Sequence, residues 1–346
     1  MTPTAGSPTS AASQVTMGAP TPAPAPAAGS IGRGTLRQRA ASGLLSGLSW
    51  LACRLPEAPQ VRLAELTGEL WYRLDRRRAA QARRNLGRVA GWLAAHEQGD
   101  AQVRAAANDP AALERLVRAA FRHYARYYVD LARAPAYTPA YLDERFRVEQ
   151  PDSLREAFQP GVGVMFVGLH FGALELQAYL AAVRAGQPLV SPMETIDDPA
   201  MQRYFARTRG AIGIRIVGLR EARRELTAAL QAGSPVGIVA DRDLTGGGMP
   251  TLLFGAPASL PLGPALLAVE TGAPAWITAV RRLPNCRYVG RLERLTVPAA
   301  GSRRERVLAV LEAQARAFER EIALAPEQWW AVFFPIWPDL EPGAAG

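Results

Sequence analysis

The fold class turns on residues 162–175, Val162-Gly163-Val164-Met165-Phe166-Val167-Gly168-Leu169-His170-Phe171-Gly172-Ala173-Leu174-Glu175. Val162 to Val167 is a short, continuous apolar run, the pattern of a strand buried on both faces. A helical pattern follows at 173–184. Working outward, a second strand begins at Leu189-Val190. A helix at 199–208 leads to a strand at 212–217, and a helix at 220–232 stops at Gly233. The strand at 236–240 runs straight into Asp241-Arg242-Asp243. A helix at 262–271, closed by Gly272, precedes a strand at 275–280. Strands alternating with helices predict an α/β fold, a mostly parallel central sheet flanked by helices. Ligands of such sheets bind outside the carboxyl ends of the strands, which directs attention to the residues just after Val167 and just after Ala240.

His170 stands after the first of these strands. A neutral imidazole in a strand-to-helix turn is placed to act as a general base. Glu175 lies five positions on. Within one helix that spacing turns the two side chains about 140° apart, so they cooperate only if His170 sits in the turn and Glu175 on the first turns of the helix, with Gly172 allowing the tight approach. After the second strand, Asp241 is an acid that could orient His170, and Arg242 could hold an anionic group; a salt-bridged loop at Asp241-Arg242-Asp243 is the plainer alternative. Glu194, Arg207 and Arg209 follow a third strand and its helix on the same expected side. His96 and His123, in arginine-rich helical surroundings, receive no role.

Upstream the character differs. All 40 basic residues of the 346-residue chain are arginine, which we ascribe to genomic composition. Residues 1–32 are uncharged and rich in Ala and Pro, and they lack the basic start and apolar core of a secretory signal; they are expected to be a disordered tail. Residues 33–88 hold twelve arginines against four acids, +8 of the formal net charge of +9. Leu44, Leu48, Leu51 and Leu55, and then Leu63, Leu66 and Leu70, recur at helical spacing beside these arginines. Such a patch attracts phosphate, of nucleic acid or of an anionic membrane surface. The expected division is therefore a tail at 1–32, basic amphipathic helices for membrane docking at 33–95, and an α/β core at 110–340. A helix with an aromatic stripe is expected at 111–133.

Several classes are excluded. The hydrophobic content of 49% with 21% charged residues is that of a globular protein. There is no apolar run long enough for a conventional spanning helix. Two cysteines, Cys53 and Cys286, make neither a disulfide framework nor a thiolate metal site. The chain carries no Gly-x-Ser-x-Gly elbow, no phosphate-binding glycine loop of the common nucleotide folds and no zinc-ligand spacing. No metal and no tightly bound cofactor is expected.

Taken together, the pattern resembles the bacterial lipid A biosynthesis acyltransferase family within the lysophospholipid acyltransferase superfamily, and within it the actinobacterial phosphatidylinositol mannoside acyltransferases. The resemblance spans about 40–338 and rests on several motifs in order: Tyr72-Arg73-Leu74-Asp75 with Arg83-Arg84-Asn85-Leu86; Tyr124 to Leu131; His170 to Glu175 as a His-x4-acid motif; Ala240-Asp241-Arg242-Asp243-Leu244; Phe254-Gly255-Ala256-Pro257 with Pro261-Leu262-Gly263-Pro264-Ala265; and Pro326-Glu327-Gln328-Trp329-Trp330 with Pro335-Ile336-Trp337. Ala256 departs from the Glu that mannoside acyltransferases often carry. The resemblance implies O-acyl transfer from a thioester, acyl-CoA or acyl carrier protein, to a hydroxyl of a phospholipid or glycolipid. In that reading His170 is the base, Asp241 orients it, Glu175 supports the base or fixes the turn, and Glu194, Arg209, Arg242 and Asp243 line the substrate site. It also implies a peripheral enzyme at the cytoplasmic face of the inner membrane, bound to an anionic lipid surface and not to nucleic acid. The rival is a non-catalytic basic protein that binds nucleic acid or anionic lipid through residues 33–88.

Overall fold

The computed structural model describes residues 35–341. The expected tail at 1–32, and the first two residues of the basic region, lie outside the described residues. Three helices come first: α1 (Leu36–Ala52), α2 (Glu57–Leu74) and α3 (Arg76–Ala95). Thr35 caps α1 and Asp75 caps α3, each side chain accepting from a backbone N–H of the first turn. After α4 (Ala101–Ala105), α5 (Pro110–Arg133) and α6 (Pro139–Arg145), the chain forms β1 (Phe146–Val148) and α7 (Pro151–Ala157).

The repeating core follows: β2 (Val164–Gly168), α8 (Leu174–Ala185), β3 (Leu189–Met193), α9 (Pro199–Ala211), β4 (Ile214–Gly218), α10 (Ala222–Gln231) and β5 (Pro235–Val239). A hairpin, β6 (Met249–Leu253) and β7 (Ala256–Leu260), precedes α11 (Gly263–Thr271), β8 (Ala275–Leu283), β9 (Arg287–Leu295) and α12 (Arg303–Ala323). Seven strands make one sheet in the order β1-β9-β8-β2-β5-β3-β4. From β8 to β4 neighbours are parallel, whereas β9 runs antiparallel to β8. The fold is the expected α/β layer structure.

Residues of β2 are buried throughout, which is why the strand reads as a continuous apolar run. Its side chains alternate. Phe166 packs with Ala181 and Ala182 of α8, while Met165 and Val167 join the larger cluster built with α11 and α12. Sequence periodicity misses β9 because Arg291, Glu293 and Arg294 interrupt it, its buried side being Tyr288, Gly290 and Leu292.

Helix α3 is part of the core. Ala82, Leu86, Val89, Ala90 and Leu93 expose nothing to solvent, and two of its arginines pair across the fold, Arg83 with Glu114 at 2.7 Å and Arg88 with Asp339. Helices α1 and α2 differ, with Leu44, Leu48, Leu63, Leu66, Leu70 and Leu74 all exposed. Among the described residues no helix is long and apolar enough to cross a membrane.

Candidate active site

Sheet register builds the site. Gly168 of β2 is level with Val239 of β5, and Ala240 N–H continues the ladder to the Gly168 carbonyl at 3.0 Å. Two residues past each paired position stand His170 and Asp241, side by side at the carboxyl edge. His170 Nδ1 lies 2.7 Å from Asp241 Oδ1, and His170 backbone N–H donates to Oδ2 at 3.0 Å. A carboxylate can only accept, so Nδ1 carries the proton and Nε2 is left as the basic nitrogen.

The Asp241 side chain is fully buried. Burial alone would raise its pKa, but the His170 imidazole and the surrounding donors outweigh burial and hold the carboxyl below its ordinary value. A third donor is Trp329, whose indole Nε1 lies 2.7 Å from Asp241 Oδ2. Trp330 packs against the imidazole, ring centroids 4.4 Å apart.

The turn that carries His170 is tied down on both sides. Trp330 N–H donates to the His170 carbonyl and Gly172 N–H to the Gln328 carbonyl, both at 3.0 Å, while Ala173 N–H donates to the Val280 carbonyl at 2.9 Å. Gly172 has φ +52°, and a Cβ there would sit 1.8 Å from the Val280 oxygen. Only glycine fits this position.

Glu175 does lie in the first turn of α8, but its hydrogen bonds go to Arg209 and not to His170. Arg209 Nε and Nη2 reach Glu175 Oε1 at 3.2 and 3.0 Å. Burial works against the Arg209 charge, yet Glu175 and the Tyr127 hydroxyl more than offset it and hold the guanidinium above its ordinary pKa. The pair thus ties α8 to α9 beside His170.

Arg242 lies over the Phe334 ring, 3.5 Å from its centroid. Burial lowers its pKa, with Asp241 and Glu194 acting in the opposite direction. Asp243 is spent on its own loop: Oδ1 accepts from Thr245 and Gly246 N–H, and Oδ2 from Gly248 N–H and the Ser259 hydroxyl. Glu194 is exposed at the rim. Arg207 leaves the group, donating instead to the Ser46 hydroxyl of α1. Among the described residues no three His, Cys, Asp or Glu side chains converge as a metal site requires.

All seven candidates except Asp241 line one cavity of about 580 Å³, with His170 in its wall. On the α8 side the cavity is walled by Phe158, Phe166 and Leu292, and on the other side by Leu226, Leu266 and Leu267. An imidazole, a buried carboxylate behind it and long apolar walls suit the activation of a hydroxyl next to a hydrocarbon chain.

Residue reading alone left Gln328, Trp329, Trp330 and Tyr127 without roles. Their contacts reach across the fold and leave no local spacing to detect; only the resemblance, through Tyr124 to Leu131 and Pro326 to Trp330, drew attention to them.

The model of the family described as bacterial lipid A biosynthesis acyltransferase matches residues 37–334. A phosphatidylinositol mannoside acyltransferase of Mycolicibacterium smegmatis is 29% identical over 254 residues, 72% of this chain and 76% of that protein. One of the same name from Mycobacterium tuberculosis strain H37Rv is 29% identical over 299 residues, 84% of this chain and 87% of that protein. The matched span takes in the His170–Asp241 pair, the helices that frame it and the Gln328–Trp330 segment that braces it, and the chain accordingly belongs to the bacterial lipid A biosynthesis acyltransferase family and is an acyltransferase of lipid biosynthesis.

Proposed function

We propose that the protein transfers a fatty acyl group from a thioester, acyl-CoA or acyl carrier protein, to a hydroxyl of a phospholipid or glycolipid, with His170 as general base. The observation that carries this reading is the 2.7 Å contact from His170 Nδ1 to buried Asp241 in the wall of an apolar cavity. His170 Nε2 takes the hydroxyl proton as the oxygen attacks the thioester carbon. The carbon–sulfur bond then breaks, and the thiolate leaves and recovers that proton from the imidazolium. A thioester is already activated, so a positioned base suffices, a contribution of about 10²–10⁴-fold. Each buried methylene of the chain adds about 0.8 kcal/mol of binding. The names of the mycobacterial relatives support a phosphatidylinositol mannoside as acceptor.

The exposed leucines of α1 and α2 support peripheral attachment to the cytoplasmic face of the inner membrane. Trp50 carries Arg54 stacked on its ring at 3.7 Å, an apolar side chain and a cation together, as a helix in the headgroup layer requires.

The test is acyl transfer from a radiolabelled thioester to mixed phospholipid and glycolipid vesicles. His170→Ala and Asp241→Asn should lose at least about 10²-fold in kcat while remaining folded. Wild-type turnover by folded His170→Ala would exclude His170 as the base.

A further inference from the structure

We propose that Trp329 is a positioning residue of acyl transfer: its indole N–H fixes the Asp241 carboxylate and, through it, the tautomer and aim of His170. The proposal rests on the reading of His170 as general base. Trp329 exposes no surface and packs edge-on to Trp337, ring centroids 6.1 Å apart, so its N–H has one direction in which to point. That direction is Asp241 Oδ2, at 2.7 Å.

With Oδ2 held by Trp329 and by the His170 backbone N–H, Oδ1 is turned to Nδ1 of the imidazole. The two halves of the device are also joined through the main chain. Phe171 and Trp329 form an antiparallel bridge, the residues on either side bond Gly172 to Gln328 and Trp330 to His170, and the Gln328 side chain grips the backbone of Arg282 in β8 through both its oxygen and its nitrogen at 2.8 and 2.9 Å. Base, acid and indole therefore move as one body.

Removing the indole donor leaves Oδ2 held by the His170 backbone N–H alone, so the carboxylate no longer presents Oδ1 to Nδ1–H in a single orientation. The other ionisable or charged groups around the pair are Glu175 with Arg209 on α8 and α9, Tyr127 on α5, Glu194 after β3, and Arg242 and Asp243 after β5. None of them changes in the experiment.

Trp329→Phe and, at the same position, 3-benzothienylalanine, which keeps the bicyclic shape and lacks the N–H, are compared with wild type in the full chain. Readouts are kcat and donor KM. The expected result is a kcat lower by about 10-fold or more with a donor KM within about twofold, in the isosteric variant as well as in Phe. Benzothienylalanine protein with a wild-type kcat would overturn the proposal, whatever its thermal stability. If Trp329→Phe does not fold, the isosteric variant alone decides. His170→Ala runs alongside: retained transfer there defeats the general-base reading itself, whereas inactive His170→Ala with an unmoved isosteric variant defeats only the role of Trp329.

Discussion

At Gly172 the chain admits no side chain. Its left-handed backbone and the Val280 carbonyl both stand in the way of a Cβ. Gly172→Ala should therefore push the turn off β8 and displace His170, with transfer falling at least about 10² and thermal unfolding moving to lower temperature; circular dichroism melting and the transfer assay check the two together. The residue scale also shows what a sequence discloses. His170 and Asp241 were legible because each is a polar residue placed directly after a buried strand, where an unpartnered polar group is costly. The partner of Glu175 was not: Arg209 lies one strand and one helix away, and nothing local distinguishes it from a surface arginine. Trp329 was legible only through the family pattern, since its bond to Asp241 spans 88 residues.

Among the elements, α1 and α2 carry the consequence of the leading charge. A leucine held in water gives up the roughly 1.5–3 kcal/mol that burial of its side chain would return, and here Leu63, Leu66 and Leu70 share one ridge of α2 with Leu74. Leu63→Asp with Leu66→Asp should abolish flotation with anionic liposomes while sparing hydrolysis of a soluble thioester, because neither residue touches the core. Flotation equal to wild type would exclude α2 as the docking element. Helix α3, drawn into the same basic region by composition, buries Ala79, Ala82, Leu86, Val89, Ala90 and Leu93 in the interior, while Arg76 and Arg77 at its start are exposed. The core elements from β2 to β5 followed the alternation read in the sequence because parallel strands are apolar on both faces. The uncharged β6–β7 hairpin is interrupted by Pro250, Gly255 and Pro257, and β9 and α12 mix charge with apolar residues, so none of them offered a comparable contrast.

For the whole molecule, the pH dependence of stability contains two opposed contributions. Burial pushes the Glu321 carboxyl up to about 7, although Arg291 lies 3.0 Å away and pulls it down. Its folded value exceeds its unfolded one, so its stabilisation is complete below the ordinary glutamate range and is lost as pH rises through about 7. Asp241 works in the other sense, its depressed value giving stability that is present above the unfolded pKa and lost in acid. Glu321→Gln should therefore gain on wild type in denaturant midpoint as pH rises from 5 to about 8, and parallel midpoints across that range would refute the assignment.

The bracing of His170 by Trp329 has a consequence in time. During synthesis His170 and Asp241 are made well before the indole that donates to the carboxylate, which follows Asp241 by 88 residues. At about 5–20 residues per second several seconds separate the two, and the cavity residues Leu266, Leu267 and Leu292 are made within that interval. The His170–Asp241 pair thus gains the bracing of the finished fold only once the C-terminal segment has closed onto the sheet.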